Sequence, residues 1–180
     1  MPETPRTDKV WVTLHKQVAV IRVEGRGSFK SSTALKEFGR AALAAGCDTA
    51  VLDMADCVGM DSTFMGTLAG IATRLRQREH GNMVLLNLNP RVRGLVATLG
   101  LDRLVAAYEP GDTPESLKSL AALSDSLRAL EHAEDPRDST TRTMIEAHEN
   151  LLDLTPENLP RFKDVLTYLR EDLQRNSPPS

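Results

Sequence analysis

Thr49–Leu75, TAVLDMADCVGMDSTFMGTLAGIATRL, decides how this chain is read. Ala50-Val51-Leu52-Asp53-Met54 is apolar without alternation, the pattern of a strand covered on both faces. A short loop follows, and Asp61-Ser62-Thr63 then stands at the mouth of an amphipathic helix over roughly Ser62–Gln77. A side-chain oxygen at that place has two readings. Asp61 or Ser62 can cap the helix by accepting from free backbone N–H groups, worth about 1 kcal/mol. The same free N–H groups and the positive end of the helix dipole can instead accommodate a phosphate on Ser62 without melting the helix.

Working outward, Val10–Leu14 and Val18–Val23 are β-branched runs that predict an antiparallel hairpin, and Gly25 and Gly27 break the pattern. Leu35, Phe38, Ala42 and Leu43 recur at helical spacing before Gly46. Met83–Leu88 reads as another buried strand. Pro90 opens a helix with the stripe Val92, Leu95, Val96 and Leu99, closed by Gly100, and Leu104–Tyr108 reads as a short edge strand. This alternation predicts an α/β fold: a small mixed β-sheet of four or five strands with alternating helices and right-handed crossovers.

The character changes at Asp112. Thr113-Pro114-Glu115 starts a helix that Leu117, Leu120, Leu127 and Leu130 are expected to carry onward. Glu131–Ser139 is a charged break containing Pro136. Two helices are expected after it: Thr140–Leu152, with Met144, His148, Leu151 and Leu152 on one face, and Leu159–Gln174, with the stripe Phe162, Val165, Leu166, Leu169 and Leu173. The expected division is a domain over 1–131 and an acidic helical extension over 132–180, between a polar lead at Met1–Asp8 and a frayed end at Asn176–Ser180. The last stripe either packs on its own domain or makes a homodimer through the C-terminal helices.

Composition narrows the functional classes. Aromatics make up 4% of the 180 residues, so the core must be aliphatic. A net charge of -3 gives no basic field for nucleic acid. Cys47 and Cys57 suit a reduced, cytoplasmic setting better than a disulfide framework. No apolar run approaches the length of a membrane span, so membrane insertion is not expected. Arg74, Arg76 and Arg78 with Arg91 and Arg93 are solvated helix ends or a binding patch. His15, His80, His132 and His148 share no ligand spacing with cysteines or acids, which argues no metal site. Gly25-Arg26-Gly27-Ser28 lacks the lysine and glycine spacing of a phosphate loop and reads as a turn. With no catalytic constellation and no cofactor motif, an enzyme is not expected.

VLDMADCVGMDSTFMGTLAGI resembles the signature of the STAS domain, found in bacterial anti-sigma factor antagonists. That pattern is an apolar strand ending in Asp, a short loop, Asp-Ser-Ser/Thr-Gly-Leu-Gly and an apolar helix. Asp53 matches the strand-ending acid, Asp61, Ser62 and Thr63 the polar core, Gly66 the last glycine and Leu68 the next apolar position. The resemblance runs from the hairpin to about Leu130, through Asn89-Pro90-Arg91-Val92 and Leu99-Gly100-Leu101. It implies a protein-binding module with Asp61, Ser62, Thr63, Phe64 and Gly66 at the partner face. Ser62 is then the residue phosphorylated by an anti-sigma factor serine kinase, with Thr63 the weaker acceptor. The unphosphorylated form binds that kinase, phosphorylation releases it, and a PP2C-type phosphatase resets the switch. The resemblance also admits a non-switching accessory subunit of an ABC lipid transporter, or a stressosome scaffold. Phe64 and Met65 stand where the family has Gly and Leu. Either Phe64 alters partner choice or it begins the core stripe Phe64, Leu68, Ile71 and Leu75; the core reading is favoured.

Overall fold

Four aliphatic side chains mark the middle of the molecule. Val12, Ile21, Leu52 and Leu85 stand side by side across four strands and are buried in one cluster. The computed structural model describes residues 7–121, 123, 126–131 and 136–178. The expected hairpin is β1 (Lys9–His15) and β2 (Val18–Gly27), followed by α1 (Phe29–Ala44) and β3 (Thr49–Asp53). β4 (Cys57–Met60), α2 (Ser62–Arg76), β5 (Asn82–Leu86) and α3 (Pro90–Thr98) come next, with β6 (Ala106–Ala107) beyond a single 3-10 turn. The remainder is α4 (Glu115–Ala121), β7 (Arg128–Ala129), α5 (Arg137–Leu152) and α6 (Asn158–Asn176).

The sheet runs β6-β5-β3-β2-β1-β7, with β4 paired to the far end of β2. β2, β3, β5 and β6 are parallel, while β1 lies antiparallel to both β2 and β7. This is the mixed α/β sheet with alternating helices and C-terminal helices that the sequence predicts, enlarged by very short strands. Because side chains alternate across a strand, Val10 and Val12 face the helical core while Trp11 faces the other way. On that second side Val51, Val84 and Leu86 meet Leu117 and Leu120 of α4. Trp11 is the only tryptophan. Its Nε1 is enclosed and has no hydrogen-bond partner among the described residues.

Three local expectations change. Gly25 does not end β2. Its φ of 71° lets the strand bulge between Gly25 and Arg26 and continue against β4, so the expected short loop after β3 is itself a strand. The helix expected to run to Leu130 stops at Ala121, and Arg128–Ala129 instead closes the free edge of β1, with Leu130 N donating to Val10 O at 2.7 Å. α5 begins at Arg137, directly after Pro136 and inside the expected break. Residues 1–6 of the polar lead at Met1–Asp8, His132 with the rest of 132–135, and the terminal residues 179–180 lie outside the described residues.

α5 lies across α1 and α2, and α6 packs on α5. Leu151 of α5 belongs to the main core, with Leu154 and Phe162 packed against it. Leu166 and Leu169 of the predicted α6 stripe are buried within the same chain.

Candidate functional site

Asp61 organises the start of α2. It sits at the N-cap in extended conformation, and its Oδ1 accepts from Phe64 N at 2.8 Å. Its Oδ2 accepts from Phe29 N, also at 2.8 Å. Phe29 is the first residue of α1, so one carboxylate serves the N-termini of two helices. Asp61 N in turn donates to Gly27 O at 2.9 Å, tying this corner to the end of β2. The capping role was legible in the sequence; the second helix was not, because it begins 32 residues earlier.

Ser62 follows as the first residue of α2 and is partly exposed. Its Oγ lies 3.0 Å from His148 Nε2. His148 Nδ1 lies 2.6 Å from Met144 O, one turn back on α5. A carbonyl only accepts, so Nδ1 carries the proton, and in the neutral ring Nε2 is the acceptor. The Ser62 hydroxyl therefore donates to His148. The imidazole is 4% exposed and meets the Phe162 ring edge-on, with centroids 5.1 Å apart. Sequence reasoning placed His148 on a helix stripe but assigned it nothing at this site. The two residues are 86 positions apart, and no local pattern joins them.

The other residues expected at the partner face point inward. Thr63 is 5% exposed, which removes it from solvent as a hydroxyl acceptor of modification in this arrangement. Phe64 is fully buried in the main core, as its helical spacing suggested. It lies flat enough on β2 that a Cβ at Gly27 would come within 2.7 Å of its ring. Gly66 faces the backbone of α5: a Cβ there would run into Ala147 O. Asn150 Nδ2 donates to Gly66 O at 3.2 Å. Only Asp61 and Ser62 of the expected set therefore keep partial exposure.

Four of the five arginines are engaged within the chain. Arg74 pairs with Glu146, Arg93 with Glu109, Arg76 donates to Arg103 O, and Arg78 donates to Leu43 O and Cys47 O at the end of α1. Cys47 and Cys57 are free and buried. Burial pushes the Cys57 thiol above its ordinary range, and burial with neighbouring Asp48 does the same for Cys47. Among the described residues no group of His, Cys, Asp and Glu is arranged to hold a metal ion, and no helix is long and apolar enough to cross a membrane.

The sequence profile of a family described as "Mlab, STAS domain" matches residues 11–106, more than half of the chain. No curated protein matches the sequence at a significant level. Among solved structures, an anti-sigma factor antagonist from Mycobacterium paratuberculosis is similar in fold. It is 22% identical, covers 66% of this chain and 96% of its own, and has a TM-score of 0.51. The Thermotoga maritima protein TM1081 is 18% identical, covers 64% of this chain and 92% of its own, and has a TM-score of 0.50. Both alignments leave about a third of this chain without a counterpart.

Proposed function

Because this chain belongs to the STAS domain family, we propose that it is a protein-binding switch of the anti-sigma factor antagonist type, with Ser62 as its phosphorylation site. The observation that carries this reading is the split between neighbouring hydroxyls. Ser62 is partly exposed on the first turn of α2, whereas Thr63 is buried. In the proposed cycle the unphosphorylated protein binds an anti-sigma factor serine kinase and so frees a sigma factor. Ser62 Oγ then attacks the γ-phosphorus of the kinase-bound nucleoside triphosphate. The bond to the bridging oxygen breaks, the diphosphate leaves, and a base on the kinase takes the hydroxyl proton. The product carries about two negative charges beside Asp61, and like charge set against a docked partner costs several kcal/mol. At about 1.4 kcal/mol per tenfold in affinity, that suffices for release. A PP2C-type phosphatase restores the serine. The protein contributes the acceptor and the surface; it performs no catalysis of its own.

The test is incubation with the anti-sigma factor kinase and ATP, followed by phosphosite mapping. Incorporation at Ser62 that disappears in Ser62→Ala is the expected result; incorporation unaffected by that substitution sinks the reading. A second reading, a non-switching accessory subunit of an ABC lipid transporter, is favoured by the hydroxyl being engaged already with His148. It predicts co-purification with an ABC ATPase, binding weakened by Ser62→Asp, and no phosphate on the protein isolated from cells.

A further inference from the structure

Around the apolar anchor Leu151, which belongs to the main core, the contact between α5 and the α1–α2 pair is polar. Thr33 donates to Thr143 at 3.0 Å, Lys36 and Arg74 both pair with Glu146, Asn150 reaches Gly66 O, and His148 receives Ser62. Lys36, Thr67, Gly70, Arg74 and Thr143 also border a void of about 10 Å³, close to the size of one water. Cores are close-packed and apolar, whereas surfaces that come apart are polar, ion-paired and wet. Each of these polar groups finds water as an alternative partner once α5 leaves, so separation strands none of them.

Two attachments of different kind hold the contact. Beyond α5, the connection to α6 is fixed to α3: Asn158 Nδ2 donates to both Leu99 O and Leu151 O, and Arg161 donates to Thr98 O. One turn of α5 before Leu151, the α2 start is held through Ser62–His148, where the donor is the proposed switch residue itself. The shape of the face is also specific. Gly66 admits a helix backbone at a distance that any side chain would forbid, and Lys36 and Arg74 frame a place for one carboxylate.

From these features we infer that α5 and α6 are a displaceable cover held in cis over the docking face of α1 and α2, with Ser62–His148 as the latch. The face accepts one kind of occupant: a helix with a small residue over Gly66 and a carboxylate between Lys36 and Arg74. α5 supplies Ala147 and Glu146 in those places, and a partner protein offering the same pair displaces it. His148 is a positioning residue in this scheme; it holds the cover by accepting from Ser62. The inference rests on the reading of the α2 start as the docking site, and it adds that the site is closed until the cover moves.

Hydrogen exchange on the full-length chain tests this. In the native protein, α5 and α6 amides exchange through an opening that leaves β3 and β5 protected. His148→Ala and Ser62→Ala each raise exchange in α5 and α6 about tenfold, the loss of one hydrogen bond to a buried group. His148→Gln, which keeps an acceptor for Ser62, restores slower exchange, and β3 and β5 are unchanged throughout. Exchange of α5 and α6 in step with β3 and β5, in the native chain and the variants alike, overturns the cover. A His148→Gln no slower than His148→Ala overturns the latch. Failure to phosphorylate Ser62 with the kinase leaves all these rates untouched and counts against the proposed function alone.

Discussion

Asp61 holds two helices with one carboxylate, and this sets its importance apart from that of an ordinary cap. Replacing a capping residue by Ala typically costs about 1 kcal/mol; here both the Phe64 and Phe29 amides lose their acceptor. We expect Asp61→Ala to lower unfolding free energy by about 2 kcal/mol and Asp61→Asn by clearly less, read from denaturant titration. A loss under about 0.5 kcal/mol would make the carboxylate an ordinary surface group. Two glycines give a second comparison. A methyl at Gly66 meets the Ala147 backbone, whereas one at Gly94 of α3 meets nothing within 4 Å. Gly66→Ala should therefore destabilise by about 1–3 kcal/mol, while Gly94→Ala should stabilise by about 0.5–1 kcal/mol. Thermal unfolding of the pair checks the sign. At this scale the sequence disclosed the local roles of Asp61 and Phe64, since each depends on neighbours within one helical turn. His148 was illegible as a site residue because its meaning comes from α5 being laid on α2, and nothing near Thr143–Leu151 encodes where that helix docks.

Among the elements, long strands and helices were legible wherever one periodicity prevailed. β3 and α2 appear close to where the apolar run and the stripe placed them, and α6 runs a residue or two past the predicted Leu159–Gln174 at each end. The misses are short pieces whose state is set by a partner. β4 and β7 form because β2 and β1 offer free edges, not because Cys57–Met60 or Arg128–Ala129 prefer a strand. β4 also carries a pH dependence. The Cys57 thiol is raised by burial, with the backbone at Gly59 and Gly27 partly opposing the shift. The unfolded thiol ionises near the ordinary value of 9.0 and the folded one only above it. Stability from this group is thus intact below 9.0 and declines as pH rises through the higher folded value. Unfolding titrations carried from neutral to alkaline pH should show that decline, and Cys57→Ala should lessen it, leaving the share of Cys47. An unchanged slope in the variant would remove the thiol as its source.

At the scale of the whole molecule, the sheet, its covering helices and the C-terminal pair make an assembly with two kinds of contact. The aliphatic composition announced the first kind, a Leu, Val, Ile and Met core around Val12, Ile21, Leu52 and Leu85. The second kind, polar and hydrogen-bonded beneath α5, has no compositional mark, so the division expected at 131 and 132 says where the chain changes character and not how its parts meet. We expect those parts to respond separately to perturbation, and the molecule carries its own reporter for one of them. Trp11, the single tryptophan, lies on the sheet side away from α5, with its Nε1 shut off from solvent and the Lys9 amine 5.5 Å from its ring centroid. Its emission should be blue-shifted in the native protein and should move to the red only when the sheet itself dissolves. Movement of α5 and α6 should pass unseen in that signal while far-ultraviolet circular dichroism registers it. Non-coincident transitions from the two probes are the expected result, and superimposable ones would mean that the sheet and the C-terminal helices melt as one body. The placement of one indole thus makes tryptophan emission blind to the C-terminal helices, and that blindness is what allows two optical probes to tell the two parts apart.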